Sequence, residues 1–493
     1  MHPYRMWIGN KWVKAASGKT CTVINPATGE KNARIPAADG EDVDKAVRAA
    51  NKAFPAWSKL PVAERCEFVR KIAKGLRENC HDLERLDILD HGTPAGIMPY
   101  VSVDSAGKLD CASDAVRTMM RDDIPALENI TTYVRRQPVG VVSIVVSSNS
   151  SPIVVAEKLG IALAAGNTCI LKPPVVDSRP ALKFAEIIAQ AGLPPGVVNM
   201  ITGEEGPVSD TLSSHPGVHL KAYLGYCNNG STIRTGTDRS VRRVPGQRGN
   251  KNHFIVFKDA DMDAALKKAV MPHFLNAGMT SKRMDRFYIH KTLYYEFVQR
   301  FVEMTEKMIV VGAPTDEKTT MGPLVSGDLR DKVESYIKSG IEDGATLLLG
   351  GARPTDPSLN KGYYILPTVF ADVKPHMRIF NEDSLGPVAC FIRFSSDEEA
   401  ITAANHNNFG LCASIWTSNI DKGIKYARQL RAETIWVNNY HPAYTFLPGG
   451  GFRESRYGRL GVVSRVEEFT RRKLIWLDSF NDTPPQFRWG MSQ

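Results

Sequence analysis

The stretch that decides the fold is VGVVSIVV, at residues 139–146. A near-continuous β-branched run of this kind is typical of a strand buried on both faces of a sheet. The segments that follow predict a helix at 152–165, a strand at 168–172, a helix at 181–191 and strands at 197–202 and 220–224. This alternation favours a parallel sheet with helices on both faces. The sequence therefore predicts an α/β fold.

Ligands in such sheets bind beyond the carboxyl ends of the strands. Three places along the chain meet that condition: Asn149, Lys172 and the loop from Gly225 to Gly230. We therefore expect the binding site to include these residues.

The same periodicity extends on both sides of the central block. Apolar positions after Asp39 predict an amphipathic helix that ends near Pro55, and a second helix is predicted at 62–79. From Asn252 a second alternating block begins, with strands expected at 253–257, 287–290 and 345–349, which predicts a second α/β domain. A last strand at 469–477 has no obvious partner nearby in the sequence, so it is a candidate for pairing with another subunit.

Composition narrows the class of protein. The 493 residues include 43% hydrophobic and 23% charged residues, which is ordinary for a globular chain of two to four domains. Eight cysteines are scattered without a CxxC pair or zinc-ligand spacing, which favours free thiols in a reducing compartment and no metal site. The first residues show no secretory core, and the longest apolar stretch, 139–146, is far too short to span a membrane. The net charge of +9 is spread along the chain without a nucleic-acid motif. We expect a cytoplasmic protein without nucleic-acid or membrane partners.

Many fixed-order segments carry a resemblance to the aldehyde dehydrogenase superfamily along nearly the whole chain. They are WIGNKW (7–12), NPATGE (25–30), AAGNT (164–168), KP (172–173), GLPPGVVN (192–199), GPV (386–388), FGL (409–411), WVN (436–438) and GRLG (458–461). The resemblance implies a Rossmann-type cofactor domain (1–120 and 138–248), an α/β catalytic-type domain (249–454) and small oligomerisation strands (121–137 and 466–493). It also implies homodimers or tetramers.

The resemblance further implies a chemistry with four parts. A cysteine thiolate attacks an aldehyde, amide and backbone donors hold the oxyanion, hydride passes to NAD or NADP, and a glutamate activates water. The nucleophile pattern aligns with NAGMTS at 276–281, so the cysteine position holds Ser281. The base segment aligns with QRGNK at 247–251, so the glutamate position holds Gln247, which cannot accept a proton at neutral pH. The sequence is therefore identified as a divergent member that lacks both groups.

Other positions of the family pattern are kept or altered. Asn149 matches the oxyanion donor, although an asparagine at a strand end also commonly caps a helix or turn. Lys172 matches the lysine that contacts the adenosine ribose, but Val175 replaces the nearby acid, which permits NADP as well as NAD. The remaining cofactor positions are Gly225, Tyr226 and Gly230 of the phosphate-side loop, and Asp383, which takes the place of a ribose-binding glutamate.

Three functions remain open. The first is a repurposed enzyme in which Ser281, Lys282, Arg283 and Asn149 form a polar site for a small carbonyl compound, anionic ones included. In it Lys282 activates Ser281 or forms a Schiff base. The second is a catalytically silent structural or sensing subunit. The third is an atypical NAD(P)-dependent aldehyde dehydrogenase, although ordinary dehydrogenase activity is predicted to be absent or very weak. A solvated helix face is the competing interpretation for Lys282 and Arg283.

Overall fold

The structure, a computed structural model, describes residues 4–127, 130–146, 152–224, 246–247, 249–440, 447, 449, 451–453, 455–457 and 461–478. The described helices are α1 (Gly40–Lys59), α2 (Val62–Glu78), α3 (Cys80–Asp90), α4 (Met98–Met119), α5 (Pro152–Ala164), α6 (Ser178–Gln190), α7 (Glu205–Ser214), α8 (Met262–Phe274), α9 (Tyr294–Met308), α10 (Gly327–Glu342), α11 (Arg378–Asn381), α12 (Asp397–Asn405), α13 (Ile420–Ala427) and α14 (Val462–Glu468).

The described strands are β1 (Met6–Ile8), β2 (Lys11–Val13), β3 (Thr20–Ile24), β4 (Lys31–Pro36), β5 (Arg121–Leu127), β6 (Ile130–Pro138), β7 (Val141–Val146), β8 (Thr168–Lys172), β9 (Val198–Met200), β10 (Leu220–Leu224), β11 (Gly246–Gln247), β12 (Asn252–Val256), β13 (Met284–His290), β14 (Thr346–Leu349), β15 (Thr368–Ala371), β16 (Val388–Phe394), β17 (Phe409–Gly410), β18 (Cys412–Trp416), β19 (Thr434–Val437), β20 (Phe452–Arg453), β21 (Arg456–Tyr457) and β22 (Thr470–Asp478).

The predicted α/β fold is confirmed by two large mixed sheets. The first has the strand order β10-β7-β8-β9-β1-β2, in which β10, β7, β8 and β9 run parallel and β1 pairs antiparallel with β9. Strand β7 is buried along its whole length, as its β-branched sequence predicts. The second sheet has the order β14-β15-β16-β13-β12-β18-β19. The two sheets pack in different hydrophobic cores, so the chain contains two α/β units.

A third, smaller sheet gives the last strand a distant partner within the chain. Strand β22 pairs antiparallel with β6, from Thr470 opposite Pro138 to Asp478 opposite Ile130. Strand β5 continues this sheet on the other side of β6. The partner was missed because it lies more than 300 residues earlier in the sequence. The boundaries given above for the three domains stay a prediction.

The first helix also differs from its predicted end. Helix α1 continues through Pro55 to Lys59. Proline removes one hydrogen bond of the last turn, but Trp57 is 1% exposed and holds that turn against the core. Among the described helices none is long and apolar enough to cross a membrane.

Candidate functional site

The strand order of the first sheet reverses at β7, which has β8 on one side and β10 on the other. The loops that follow β7 and β10 therefore start next to each other, at the carboxyl edge of the sheet. Crevices at such reversal points are where open α/β sheets bind ligands. Asn149, Gly225, Tyr226 and Gly230 follow these strands and lie outside the described residues. Their assigned roles stay predictions.

Lys172 ends strand β8 at this same edge. Its side chain is 0% exposed, and its ammonium group has no hydrogen-bond partner in the described part of the chain. Burial lowers the pKa of Lys172 to about 8, against the smaller opposing effect of Glu205 and Cys21. A buried ammonium group without a partner is a donor that a ligand hydroxyl can satisfy. The geometry therefore suits a lysine that binds a ribose.

The backbone before Ser281 follows an unusual path. Asn276, Ala277 and Gly278 all have positive φ angles of 53°, 52° and 73°. A first side-chain carbon on Gly278 would lie 2.4 Å from the carbonyl oxygen of Gly386. Only glycine therefore fits there, since any other residue would meet both the φ strain and the overlap. This tight passage sets the direction of the turn at Ser281 and Lys282.

Asn252 holds that turn against the second sheet. Its side-chain amide donates to the carbonyl oxygens of Ser281, at 3.0 Å, and Arg283, at 2.6 Å. Its oxygen accepts from the backbone N–H of Cys412 at 3.1 Å. Ser281 is half-buried, and no imidazole or carboxylate contacts its hydroxyl among the described side chains. The hydroxyl therefore has no adjacent base in this part of the structure.

Lys282 is half-buried beside Ser281. Its ammonium nitrogen lies 5.9 Å from the centre of the Trp436 ring, and its carbonyl oxygen accepts from the Tyr440 hydroxyl at 2.9 Å. Burial lowers the pKa of the Lys282 side chain below its ordinary value. A lowered pKa increases the fraction of free amine near neutral pH, which is the nucleophilic form.

Arg283 corrects the interpretation of this segment as a solvated helix face. Arg283 is 0% exposed and stands in a turn that leads into β13, not on a helix. Its guanidinium donates to the carbonyl oxygen of Gly278 at 2.6 Å and to Asp383 at 2.8 Å, and it lies 2.5 Å from Asp285. The arginine is therefore a structural anchor of the turn at Ser281 and Lys282.

Asp383 is fixed from several sides. One oxygen accepts from the backbone N–H of Asn250 at 2.9 Å, and the other accepts from Arg283 and from the backbone N–H of Leu385 at 2.9 Å. Burial alone would raise its pKa, but Arg283 and these N–H groups hold the pKa of Asp383 below its ordinary value. At least three of the roughly four acceptor sites of this buried carboxylate are used, so little capacity is left for a ribose hydroxyl.

Gln247 lies in the two-residue strand β11, where it is the register partner of Arg456 in β21. Three residues later Asn250 contacts Asp383, and Asn252 contacts Ser281. The segments that carry Gln247 and Ser281 therefore meet around Asn252, as the family pattern implies.

The structure brings in a thiol that the sequence analysis did not single out. Cys412 is 1% exposed, and its sulfur donates to the carbonyl oxygen of Lys282 at 3.7 Å. Burial raises the pKa of Cys412, so it stays a thiol near neutral pH and is a poor nucleophile. The family-like segment FGL at 409–411 was the sequence feature that could have drawn attention to Cys412, because Cys412 follows it directly.

A chain of charged residues near Lys282 was also missed. Lys108 of α4 lies 3.7 Å from Asp104 and 3.9 Å from Glu157 of α5, and Glu157 also pairs with the buried Arg465 of α14. The charges of Glu157 and Lys108 act on the Lys282 amine. These charged residues lie on three helices that are separated along the sequence, and they form no motif. No sequence pattern could therefore have grouped them.

Comparisons with known proteins agree with this architecture. The model of the aldehyde dehydrogenase family matches residues 12–475. A putative aldehyde dehydrogenase from Burkholderia cenocepacia is 33% identical, with a TM-score of 0.95 over 98% of this chain and 99% of that one. The NAD-dependent aldehyde dehydrogenase from Sinorhizobium meliloti is 32% identical, with a TM-score of 0.93 over 98% and 96%. The NAD⁺ complex of an aldehyde dehydrogenase from Bacillus cereus is 32% identical, with a TM-score of 0.94 over 97% of each chain. This chain belongs to the aldehyde dehydrogenase family.

Proposed function

We propose that this protein binds NAD(P) and acts on a small carbonyl compound through the amine of Lys282, not through thiol-based aldehyde oxidation. The observation that carries the proposal is the turn at residues 281–282. Where the family pattern has a cysteine, the turn presents a serine without an adjacent described base, followed by a half-buried lysine of lowered pKa.

The proposed reaction begins at the free amine. The Lys282 nitrogen adds to the carbonyl carbon and one of its protons passes to the oxygen, which gives a carbinolamine. A proton from solvent then lets the hydroxyl leave as water, and an iminium ion remains. The substrate class includes carboxylates, but the cations Lys108 and Arg465 are matched by Asp104 and Glu157, so this cluster does not itself select them. Asn149 is the proposed donor to the carbonyl oxygen, and Gln247 is the proposed residue that orients water.

Thiol chemistry has little support at this site. Cys412 is the thiol that the described structure brings to the turn, and it is buried, protonated and hydrogen-bonded to the Lys282 carbonyl oxygen. An atypical aldehyde dehydrogenase would need this buried thiol, or the Ser281 hydroxyl, to attack without a base. Either route is slow because the nucleophile is not activated.

Support for NAD(P) binding is stronger at the adenosine end of the dinucleotide than at its nicotinamide end. Lys172 offers a buried donor without a described partner to the adenosine ribose, and the relative from Bacillus cereus is solved with NAD⁺. The absence of an acid at Val175 leaves room for a 2′-phosphate, so NADP is included. When bound, the dinucleotide supplies a hydride acceptor or donor.

A silent structural or sensing subunit is the second candidate, and one observation favours it. Asp383 is buried and already accepts from Arg283 and two backbone N–H groups, which leaves little acceptor capacity for the nicotinamide ribose. A protein that holds only the adenosine end would sense the dinucleotide without transferring hydride.

Copies of the chain are proposed to assemble as a homodimer or tetramer through β22. This strand is at one edge of its sheet, and in the described part it exposes Leu474 (58%), Trp476 (50%) and Leu477 (50%). An apolar exposed edge strand is a template for pairing with another chain. The cytoplasm is the proposed location, since the seven described cysteines are free.

Reductive trapping tests the amine chemistry. The protein is incubated with glyoxylate and cyanoborohydride, and the modified peptides are mapped by mass spectrometry. We expect a carboxymethyl group on Lys282 that is lost in Lys282→Arg and kept in Lys258→Arg, an exposed control. NAD and NADP titrations followed by intrinsic fluorescence run in parallel. Dinucleotide binding without labelling of Lys282 would favour the sensing subunit, and thiol-dependent aldehyde oxidation by the unmodified protein would refute the proposal.

A further inference from the structure

A cavity of about 580 Å³ lies away from the site described above, between the α1–α2 connection and strand β6. Four cations line it: Lys59, Arg65, Arg135 and Arg136. Its described lining contains no aspartate or glutamate, and the remaining wall is largely apolar, with Phe54, Leu60 and Met120 among its members. Its volume falls within the range of about 300–1,000 Å³ that small-molecule sites occupy.

Arg65 is the buried floor of this basic cavity. It is 3% exposed, and its Nε donates to the carbonyl oxygen of Ala164 at 2.9 Å. Its other described hydrogen bonds also go to backbone carbonyl oxygens, those of Ser58 and Leu60. Burial lowers the pKa of Arg65, and the charge of Arg135 adds to the decrease. Neutral carbonyls orient this guanidinium without neutralising it.

The small sheet concentrates further positive charge at the cavity. Arg135 is the register partner of Lys473 on β22, so two cations stand opposite each other across these strands. Like charges directly opposite one another destabilise a sheet. Glu467 pairs with Arg136 at 3.6 Å and with Arg472 at 2.5 Å. A negative ligand beside Arg135 would relieve the repulsion between Arg135 and Lys473.

We propose that the basic cavity binds an organic anion, a carboxylate or phosphate group carried on an apolar body. The anionic group lies among Lys59, Arg65 and Arg135, where cations outnumber acids, and the apolar body lies against Phe54, Leu60 and Met120. Charged hydrogen bonds from arginine to such groups are among the strong ones. The site is separate from the turn at Ser281 and Lys282, so it does not rest on the proposed function.

The probe for the test is 1-naphthyl phosphate, titrated into the full-length protein by calorimetry with saturating NAD present to occupy the dinucleotide site. We expect one saturable site per chain, with 1-naphthoate binding in the same cavity and neutral 1-naphthol and inorganic phosphate each binding at least about tenfold more weakly. The double variant Lys59→Gln/Arg135→Gln should lower affinity for naphthyl phosphate at least about tenfold. Both residues are exposed at the cavity rim, so the variant should keep its fold and its melting temperature.

The matched control is Lys52→Gln/Lys268→Gln, which removes two exposed cations outside the cavity lining. It should bind naphthyl phosphate like the unmodified protein. Three results would overturn the proposal: no saturable binding up to about 1 mM, equal affinity in the rim variant and the unmodified protein, or equal affinity for 1-naphthol or inorganic phosphate.

Discussion

At the scale of single residues, two of the buried cations, Lys172 and Arg283, have opposite surroundings. Lys172 has no described partner, whereas Arg283 is surrounded by Asp285, Asp383 and a carbonyl oxygen. The first suits a residue that awaits a ligand, and the second suits a structural anchor. Their substitutions should therefore have opposite effects on stability.

Replacing Lys172 by methionine should stabilise the protein at neutral pH. The pKa of Lys172 falls from 10.5 to about 8, so below pH 8 burial of its charge costs about 3 kcal/mol at 1.36 kcal/mol per pKa unit. Between pH 8 and 10.5 the folded state binds fewer protons than the unfolded state, so stability rises with pH and the cost fades. Urea unfolding of both proteins at pH 7 and pH 10 should show that their difference in free energy of unfolding is smaller at the higher pH. A difference that does not change with pH would contradict the explanation by an unpaired buried charge.

Replacing Arg283 by methionine should destabilise the protein by about 3–5 kcal/mol, because Asp285 and Asp383 stay buried without their cation. The control is Arg353→Met, whose guanidinium is half-exposed and pairs with Glu334 at the surface, and which should cost less than about 1 kcal/mol. Denaturant midpoints measure both. Equal losses would show that the buried cluster contributes no more than a surface pair.

At the scale of elements, the passage from α8 into β13 controls where Lys282 lies. Gly278→Ala should lower the free energy of unfolding by more than about 1 kcal/mol and should slow the reductive labelling of Lys282. The reason is that the new methyl group overlaps the Gly386 carbonyl and displaces the turn. Gly344→Ala is the matched control, since Gly344 also has a positive φ, of 90°, but no atom within 4 Å of its added carbon. Unfolding free energies and labelling rates of the two variants separate overlap from backbone strain. Equal effects would show that contact with Gly386 is unimportant.

The same elements show what sequence can predict. The β-branched run of β7 and the alternation around it predicted the parallel sheet, since a strand buried on both faces needs that composition. The alignment of 276–281 singled out Ser281 but did not predict the turn in which it lies. Arg283 and Cys412 escaped prediction because their roles depend on Asp383 and on the carbonyl of Lys282, which tertiary packing alone brings near them. The pairing of β22 with β6 was missed for the same reason.

At the scale of the whole molecule, the exposed edge of β22 should decide the state of assembly. Leu474→Lys/Trp476→Glu should shift the protein toward monomers, because it places charges on an apolar edge that is about half exposed in the single chain. Ile341→Lys, on the half-exposed surface of α10, is the control and should leave the assembly unchanged. Size-exclusion chromatography with light scattering gives the mass directly. An unaltered oligomer in the β22 variant would place the interface elsewhere.

The pairing of β22 with β6 also has a consequence during synthesis. About 330 residues separate the two strands, which is tens of seconds of translation at about 5–20 residues per second. For that interval the emerging polypeptide carries β6 with one side of its backbone unpaired, at a stage when chaperones have access to it. A chain stopped at residue 469 should keep that open edge permanently and form aggregates, which light scattering detects, whereas a clear, monodisperse solution of the truncated chain would show that β6 needs no such cover.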